Sequence, residues 1–160
     1  MKTLWAGALA AGVLILSAAQ ALAASPHDGA WTIDPSRSFW SNQTGTLPAN
    51  FKLTVNFKFG DNALTYHSVN TTQPAKPYIS DHQTTLDGAV TPFANQERFN
   101  QVSVKQTDAD NLQILKMKDG DVIAGEFWTF SPDGKTAIRR GVGKSPEGKS
   151  HAYQEFFVHQ

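Results

Sequence analysis

An alternation of apolar and polar residues constrains the fold of this chain more than any other feature. From residue 51 to residue 59 every second position is apolar, and every position between them is polar. This period of two places the apolar side chains on one face of a β-strand. After residue 24 no segment sustains the 3.6-residue spacing of an amphipathic helix. The chain is therefore predicted to be all-β.

Turn signals divide the rest of the chain into short strands. Glycine follows Asp at 87–88 and 119–120, and closes a Ser-Pro-acid-Gly sequence at 131–134 and 145–148. Residues 35–50 and 70–77, rich in Ser, Asn, Thr, Gly and Pro, are predicted loops. The candidate strands lie near residues 29–34, 51–59, 63–70, 78–86, 98–106, 111–118, 122–130, 135–144 and 149–158.

A closed barrel is the predicted architecture. Many short strands within residues 24–160 fit either a sandwich or an up-and-down barrel. The hairpins follow one another without long crossovers, and the chain has no Cys that could join two sheets. Closure protects strand edges without disulfides. We expect a single domain over residues 24–160, an antiparallel up-and-down β-barrel of about 8–10 strands.

Residues 1–23 are predicted to be a cleaved signal peptide. Lys2 precedes a 13-residue apolar segment, residues 4–16, and Ala21 and Ala23 form a small-x-small cleavage site. The apolar segment is shorter than the roughly 20 residues that a membrane-spanning helix needs. No Cys follows it, which excludes lipoprotein processing. The mature protein is expected to be periplasmic or secreted, without a membrane span.

The charge of the mature chain excludes some partners. The full chain has 14 basic and 14 acidic residues, and Lys2 is the one charged residue before residue 24, so the mature part has a net charge of −1. Near-neutrality argues against binding to nucleic acid and against a lipid surface held by charge alone. The lack of Cys also excludes a thiolate zinc site and a thiol nucleophile.

The last three strands can be aligned from their turns. Residues 131–135 and 145–149 each fit a type I turn followed by a glycine at positive φ, the three-residue hairpin loop. Pairing the two ends of each loop places Glu126, Arg140 and Gln154 side by side on the more apolar face. That face is predicted to line the barrel interior.

This predicted polar group, which has Trp128 beside it, has two interpretations. Buried charges must be paired, so Glu126 and Arg140 can form a purely structural ion pair. Alternatively, an arginine among hydrogen-bonding groups can anchor the polar end of a ligand. The strand before it is left open, because a two-residue turn at 119–120 brings Gln113 opposite Glu126 and a three-residue turn brings Leu112 there.

The start of the mature chain resembles the lipocalins. Gly29-Ala30-Trp31 matches their Gly-x-Trp motif, and residues 31–38 (WTIDPSRS), together with the two Ser-Pro-acid-Gly-Lys hairpins, resemble small exported bacterial lipocalin-like proteins. The resemblance implies a calycin-type barrel in which Trp31 closes one end and Arg139 or Arg140 packs on it. The Thr-Asp-Tyr motif of lipocalins and the Arg-x-Tyr pair of intracellular fatty-acid-binding proteins are absent, so no retinoid or fatty-acid ligand is implied.

No residue pattern predicts a catalytic residue, a metal site or a cofactor. The Gly-x-Ser-x-Gly context of a nucleophilic serine is absent. His151 and His159 share a strand face, but at ~3.3 Å per residue they lie roughly 27 Å apart and cannot hold one ion together. Haem held by His67, His151 or His159 has no local motif to support it. These absences leave an enzymatic role undecided but favour a protein that is not an enzyme.

Two adjacent aromatic residues, Phe39 and Trp40, lie in a predicted polar loop, residues 39–46. Such a loop can cover the mouth of a barrel, stack on a ligand or bind a partner protein. Arg37 is expected to stack on Trp40 as a cation–π pair.

Three functions fit these features. The first is an exported protein that holds a small, largely apolar molecule in the barrel lumen. The second is a non-catalytic interaction module with a filled barrel, acting on an unknown partner through residues 39–46. The third is a small isomerase-like enzyme that uses the Glu126–Arg140 pair. For the first function the predicted ligand-binding residues are Glu126, Arg140, Gln154, Trp128, Trp31 and Trp40.

Overall fold

The computed structural model describes residues 24–94, 97–145 and 147–160. The predicted signal peptide, residues 1–23, lies outside the described residues. None of the described residues belongs to a helix long and apolar enough to cross a membrane.

The structure contains ten strands: β1 (Gly29–Trp40), β2 (Leu53–Gly60), β3 (Ala63–Asn70), β4 (Tyr78–Thr85), β5 (Asp87–Pro92), β6 (Gln101–Asp108), β7 (Asn111–Lys118), β8 (Asp121–Phe130), β9 (Thr136–Lys144) and β10 (Ser150–His159). They form one antiparallel sheet in which β1 also pairs with β10, while β4 and β5 lie at the two ends. The two end strands approach each other where the barrel closes: the Thr91 hydroxyl of β5 donates a hydrogen bond to the Thr84 hydroxyl of β4 (3.1 Å). The predicted antiparallel up-and-down barrel is confirmed, and it is nearly closed.

Two segments predicted to be loop or turn are strands. β1 continues to Trp40 although its pairing with β10 is irregular between Asp34 and Phe39. The buried Ser38 hydroxyl compensates for this irregularity, since it donates to the Asp34 carbonyl (2.7 Å) and accepts from the Phe156 N–H (2.9 Å). β5 starts at the predicted Asp87-Gly88 turn. It is short, at the edge and without a buried residue, so it has no alternating pattern.

The β8–β9 hairpin differs from its predicted register by one residue. The Ser131 N–H donates to the Thr136 carbonyl (2.8 Å), so the loop has four residues rather than three. The Ser131 hydroxyl binds both the Asp133 carboxylate (2.6 Å) and the Thr136 N–H (2.9 Å), which stabilises this longer loop. Because side chains alternate along a strand, a slip of one residue reverses which face of β9 is buried.

The β9–β10 register agrees with the prediction, since Arg140 pairs with Gln154. The orientation of β10 therefore differs from the prediction in the same way as that of β9. The inward faces of both strands are the ones that were predicted to face outward, whereas β8 is oriented as predicted, with Glu126 and Trp128 buried.

One end of the barrel, hereafter the closed end, is filled by aromatic rings. Trp31 is fully buried, stacks on His159 (centroids 4.4 Å apart) and meets Phe130 edge-on. The His27 ring lies nearly parallel to the Phe130 ring, with centroids 4.4 Å apart, and Phe57 contacts the Phe130 ring edge-on. Trp31 thus occupies the end position that the resemblance implied, but His159 packs on it in place of Arg139 or Arg140.

Candidate functional site

The other end of the barrel contains a cavity of about 280 Å³. Its lower wall is buried, whereas the partly exposed Asn70, Arg98, Ser145 and His151 mark its mouth. The remaining walls are mainly aromatic and aliphatic, and include Trp40, Phe51, Leu53, Tyr66, Phe99, Ala124 and Tyr153. A concave apolar site with a few polar groups is the usual form of a small-molecule site.

Four buried charged side chains form the bottom of this cavity, hereafter the charged floor: Lys116, Glu126, Arg139 and Glu155. The Lys116 ammonium lies 2.7 Å from Glu126 Oε1, and Arg139 Nη1 lies 3.4 Å from Glu126 Oε2. Arg139 also binds Glu155 Oε2 through Nε (2.6 Å) and Nη2. Two cations and two carboxylates make the charged floor neutral as a whole.

Each carboxylate oxygen of the charged floor has a partner. The oxygen of Glu155 that Arg139 leaves free, Oε1, accepts a hydrogen bond from the indole N–H of Trp40 (2.9 Å). Complete pairing is what a buried carboxylate requires, since an unpaired one would be strongly destabilised by the loss of water.

Two of the predicted lumen residues, Arg140 and Gln154, are not in the lumen. The slipped β8–β9 register places Arg139 opposite Trp128 on the inside, and Arg140 opposite Phe127 on the outside. Arg140 is exposed and its Nε donates to the Gln154 amide oxygen (2.9 Å). The predicted inward position of this pair is therefore wrong.

Lys116 enters the charged floor because of a bulge in β8, where Ile123 is the extra residue. A two-residue turn joins β7 to β8, but the register shifts by one residue at Lys116/Met117, so that Ile114 rather than Gln113 or Leu112 lies opposite Glu126. The inward alternation of Leu112, Ile114 and Lys116 was readable in the sequence. A lysine at the end of such a pattern is the signal that the sequence reasoning missed.

The three predicted tryptophans have different positions. Trp40 lines the cavity and packs edge-on against Phe51 (5.4 Å). Trp128 is buried one layer below, under the Arg139 guanidinium (5.3 Å). Trp31 belongs to the closed end. The expected stacking of Arg37 on Trp40 is not found, because Arg37 lies over the Phe156 ring on the outer surface (3.3 Å).

The opposite charges in the lumen keep one another ionised, as the pKa shifts of three of the groups show. Burial alone would raise the pKa of Glu126, but the charges of Lys116 and Arg139 outweigh it and lower that pKa to about 2. Burial would lower the pKa of Lys116, yet the charge of Glu126 holds it above its ordinary value. The same opposition, with Glu155 as the main partner, raises the pKa of Arg139. All three groups are thus ionised at neutral pH.

Several buried polar atoms near the charged floor lack a hydrogen-bond partner within the described residues. They include the Ser80 hydroxyl in the cavity wall and both ring nitrogens of His82. Burial, with the charge of Lys116 in second place, lowers the pKa of His82 to about 3, so the ring is neutral. Among the residues the structure describes, no three His, Asp or Glu side chains lie close enough to hold a metal ion.

The outer wall of the barrel has a separate apolar hollow of about 400 Å³. Phe39 and Phe127, each about half exposed, flank the Arg140–Gln154 pair there. Adjacent residues of β1, Phe39 and Trp40, therefore face opposite sides of the barrel wall, so the two rings do not act together as a loop.

Comparison with known proteins identifies the fold. No family model and no curated protein matches the chain. Among solved structures it is similar to zebrafish ileal bile acid-binding protein in complex with cholic acid, with a TM-score of 0.54 and 11% sequence identity. The match covers 85% of this chain and 100% of that chain. The barrel has the lipocalin-like, calycin fold. The likeness extends to the fold alone.

Proposed function

We propose that this protein is exported and binds a small, largely apolar molecule in the lumen of its barrel. The observation that carries the proposal is the cavity itself, whose aromatic walls end on a hydrogen-bonding floor. A filled barrel would instead have continued the packing of the closed end to the mouth. The cholic acid bound by the zebrafish protein is consistent with a ligand in this kind of barrel.

The size and lining of the cavity define the ligand. At about 280 Å³ it lies at the lower limit of the roughly 300–1,000 Å³ found for ligand pockets. Phe51, Phe99 and Trp40 offer rings to an apolar body, and aromatic contacts of this kind contribute strongly to binding. Glu126 belongs to the charged floor that meets the polar end, and Trp128 supports that floor from below.

Thermal unfolding with a panel of lipids and metabolites tests the proposal. A ligand of the native state must raise the melting temperature. Gly143 lines the cavity, and a Cβ there makes only ordinary contacts, so we choose Gly143→Leu to place an apolar side chain at the cavity wall. We expect this variant to lose the ligand-induced shift, whereas Val142→Leu on the outer wall keeps it. An equal response of both variants, or no shift with any compound, contradicts the proposal.

The export step has its own test. Residues 1–23 are the proposed leader, and the mature chain would start near Ala24. Expression of the full chain in a Gram-negative host, followed by intact-mass measurement of the periplasmic fraction, should show loss of this segment. Full-length protein confined to the cytoplasm would contradict export.

The two alternatives have less support. Acid–base catalysis favours a group whose pKa lies near the working pH, and Glu126, with a pKa of about 2 and both oxygens paired, does not meet that condition. An interaction module with a filled barrel does not account for the cavity, and Trp40 contributes to the lumen rather than to an exposed loop.

A further inference from the structure

We infer that the lumen selects a neutral ligand, one with an acceptor oxygen such as that of a ketone, ester or amide, and discriminates against carboxylates. This inference rests on the proposed function and names the ligand class of the same site. It follows from how the hydrogen bonds and charges of the charged floor are already used.

Every carboxylate oxygen of the charged floor is already bound by a donor, whereas its cations keep N–H groups to spare. Both oxygens of Glu126 are taken by Lys116 and Arg139, and both oxygens of Glu155 by Arg139 and Trp40. Lysine and arginine side chains carry several N–H groups and no acceptor. The bond from Lys116 to Glu126 uses part of the ammonium's capacity, and Lys116 lines the cavity. A ligand oxygen that accepts a hydrogen bond therefore fits the unused N–H groups of Lys116.

The wall beside the charged floor also offers a donor. Ser68 and Ser80 face each other across β3 and β4 and both line the cavity. The Ser80 side chain is 2% exposed, and its hydroxyl has no partner within the described residues. A buried hydroxyl without a partner is unfavourable, and a ligand oxygen would satisfy it.

The charge balance disfavours an anion at this position. The charged floor is neutral, so a carboxylate placed on it would add an uncompensated buried charge. A neutral carbonyl takes the same donors without that penalty. This logic is the reverse of a site with a free arginine, which attracts carboxylates through charge-assisted bonds.

Arg98 also lines the cavity, but it is not one of the four side chains whose charges cancel in the charged floor. It lies at the mouth over the Phe99 ring (4.9 Å), and its Nη2 donates to the Lys144 carbonyl. A bond from Ser145 and, to a smaller extent, the charge of Arg98 lower the pKa of Glu147, so Arg98 is already near an acidic group. Its partly solvated position makes it a weak anion site compared with a buried cation.

Isothermal titration calorimetry with decanoate, 2-decanone and decylamine tests the inference, because these probes share a chain length and differ in charge. We expect 2-decanone to bind the wild-type protein at least about tenfold more tightly than either ion. If decanoate binds most tightly, the inference is overturned while the proposed function stands. If none of the three binds, the inference is overturned, and the thermal-unfolding panel decides whether the proposed function fails with it.

A charge-changing variant sharpens the test. Glu126→Gln keeps the shape of the side chain but leaves the charged floor with a net positive charge. We expect its affinity for decanoate to rise at least about tenfold, so that the preference for 2-decanone shrinks or disappears. Glu155→Gln makes the same change of charge if the first variant does not fold. Asp61→Asn, in the exposed β2–β3 turn, is the control for net charge; an equal gain in this control contradicts the inference.

A variant of the mouth separates the two possible anion positions. Arg98→Gln should leave the preference of the wild-type protein for 2-decanone unchanged. If wild-type decanoate binding is tight and disappears in Arg98→Gln, the mouth anchors an anion and the inference is wrong.

Discussion

The two ends of this barrel are built from the same strands but are packed in opposite ways. At the closed end, Trp31 stacks on His159 and His27 stacks on Phe130, and the two pairs meet edge-on and fill the interior. At the other end, four paired charges form a floor and a cavity remains above it. In the proposed function, stability and binding therefore belong to different ends: one is a dense aromatic core, whereas the other keeps space and hydrogen-bond donors that a ligand would use.

The largest expected effect is on stability at the closed end. Trp31→Ala removes the ring that His159 and Phe130 pack against, and loss of a buried aromatic residue costs about 4 kcal/mol in unfolding free energy. Chemical denaturation should show this loss, while any variant protein that remains folded should still bind ligand. A change below about 1 kcal/mol would contradict the role of Trp31 as the centre of the closed end.

The next effect is at the charged floor. Arg139→Met leaves the buried Glu155 with the Trp40 indole alone, and breaking a buried ion pair costs about 3 kcal/mol. Arg140→Met, one residue along on the outer wall, should cost about 0.5 kcal/mol or less. Urea denaturation of the two variants checks the register directly, because the predicted register would have reversed their order.

A close contact in the barrel wall predicts a somewhat smaller effect. A Cβ on Gly141 would lie 2.4 Å from both the Gly125 carbonyl and the Tyr153 ring, whereas one on Gly143 has its nearest neighbour at 3.5 Å. Gly141→Ala should therefore cost about 2 kcal/mol, because the wall must shift. Gly143→Ala is the matched control, and equal stability of both variants would refute the contact.

The smallest predicted effect is a pH dependence. Unfolded His82 takes up a proton near pH 6.5, but in the native barrel its pKa is about 3. The unfolded state therefore binds more protons between these values, and stability falls as the pH drops below 6.5. Between pH 7 and pH 5.5 the loss should be about 1 kcal/mol, and His82→Phe should remove it. An unchanged pH profile in that variant would contradict the buried, neutral state of His82.

The sequence predicted the fold more fully than the site. Alternation identified most of the strands and oriented β8, because Glu126 and Trp128 share the period of buried neighbours. The register of β9 was wrong because the β8–β9 loop has one more residue than the turn pattern indicates. The Ser131 side chain stabilises that longer loop through local bonds to Asp133 and Thr136.

The charged floor shows why a site is harder to predict than a fold. Of its four members, only Glu126 was among the predicted residues. Arg139 and Glu155 were displaced by the one-residue slip, and Lys116 depended on a bulge that the turn at 119–120 does not reveal. An error of one residue leaves the strand order unchanged but exchanges the inside of the barrel for the outside.

Native mass spectrometry of the full chain, expressed and purified without denaturation, tests the central claim, that the charged end of the barrel is a ligand site, most directly. The account predicts a wild-type species that carries the extra mass of a small neutral molecule, and predicts that Gly143→Leu lacks it while Val142→Leu retains it. A wild-type mass equal to that of the polypeptide alone, or the same adduct in both variants, would contradict the account.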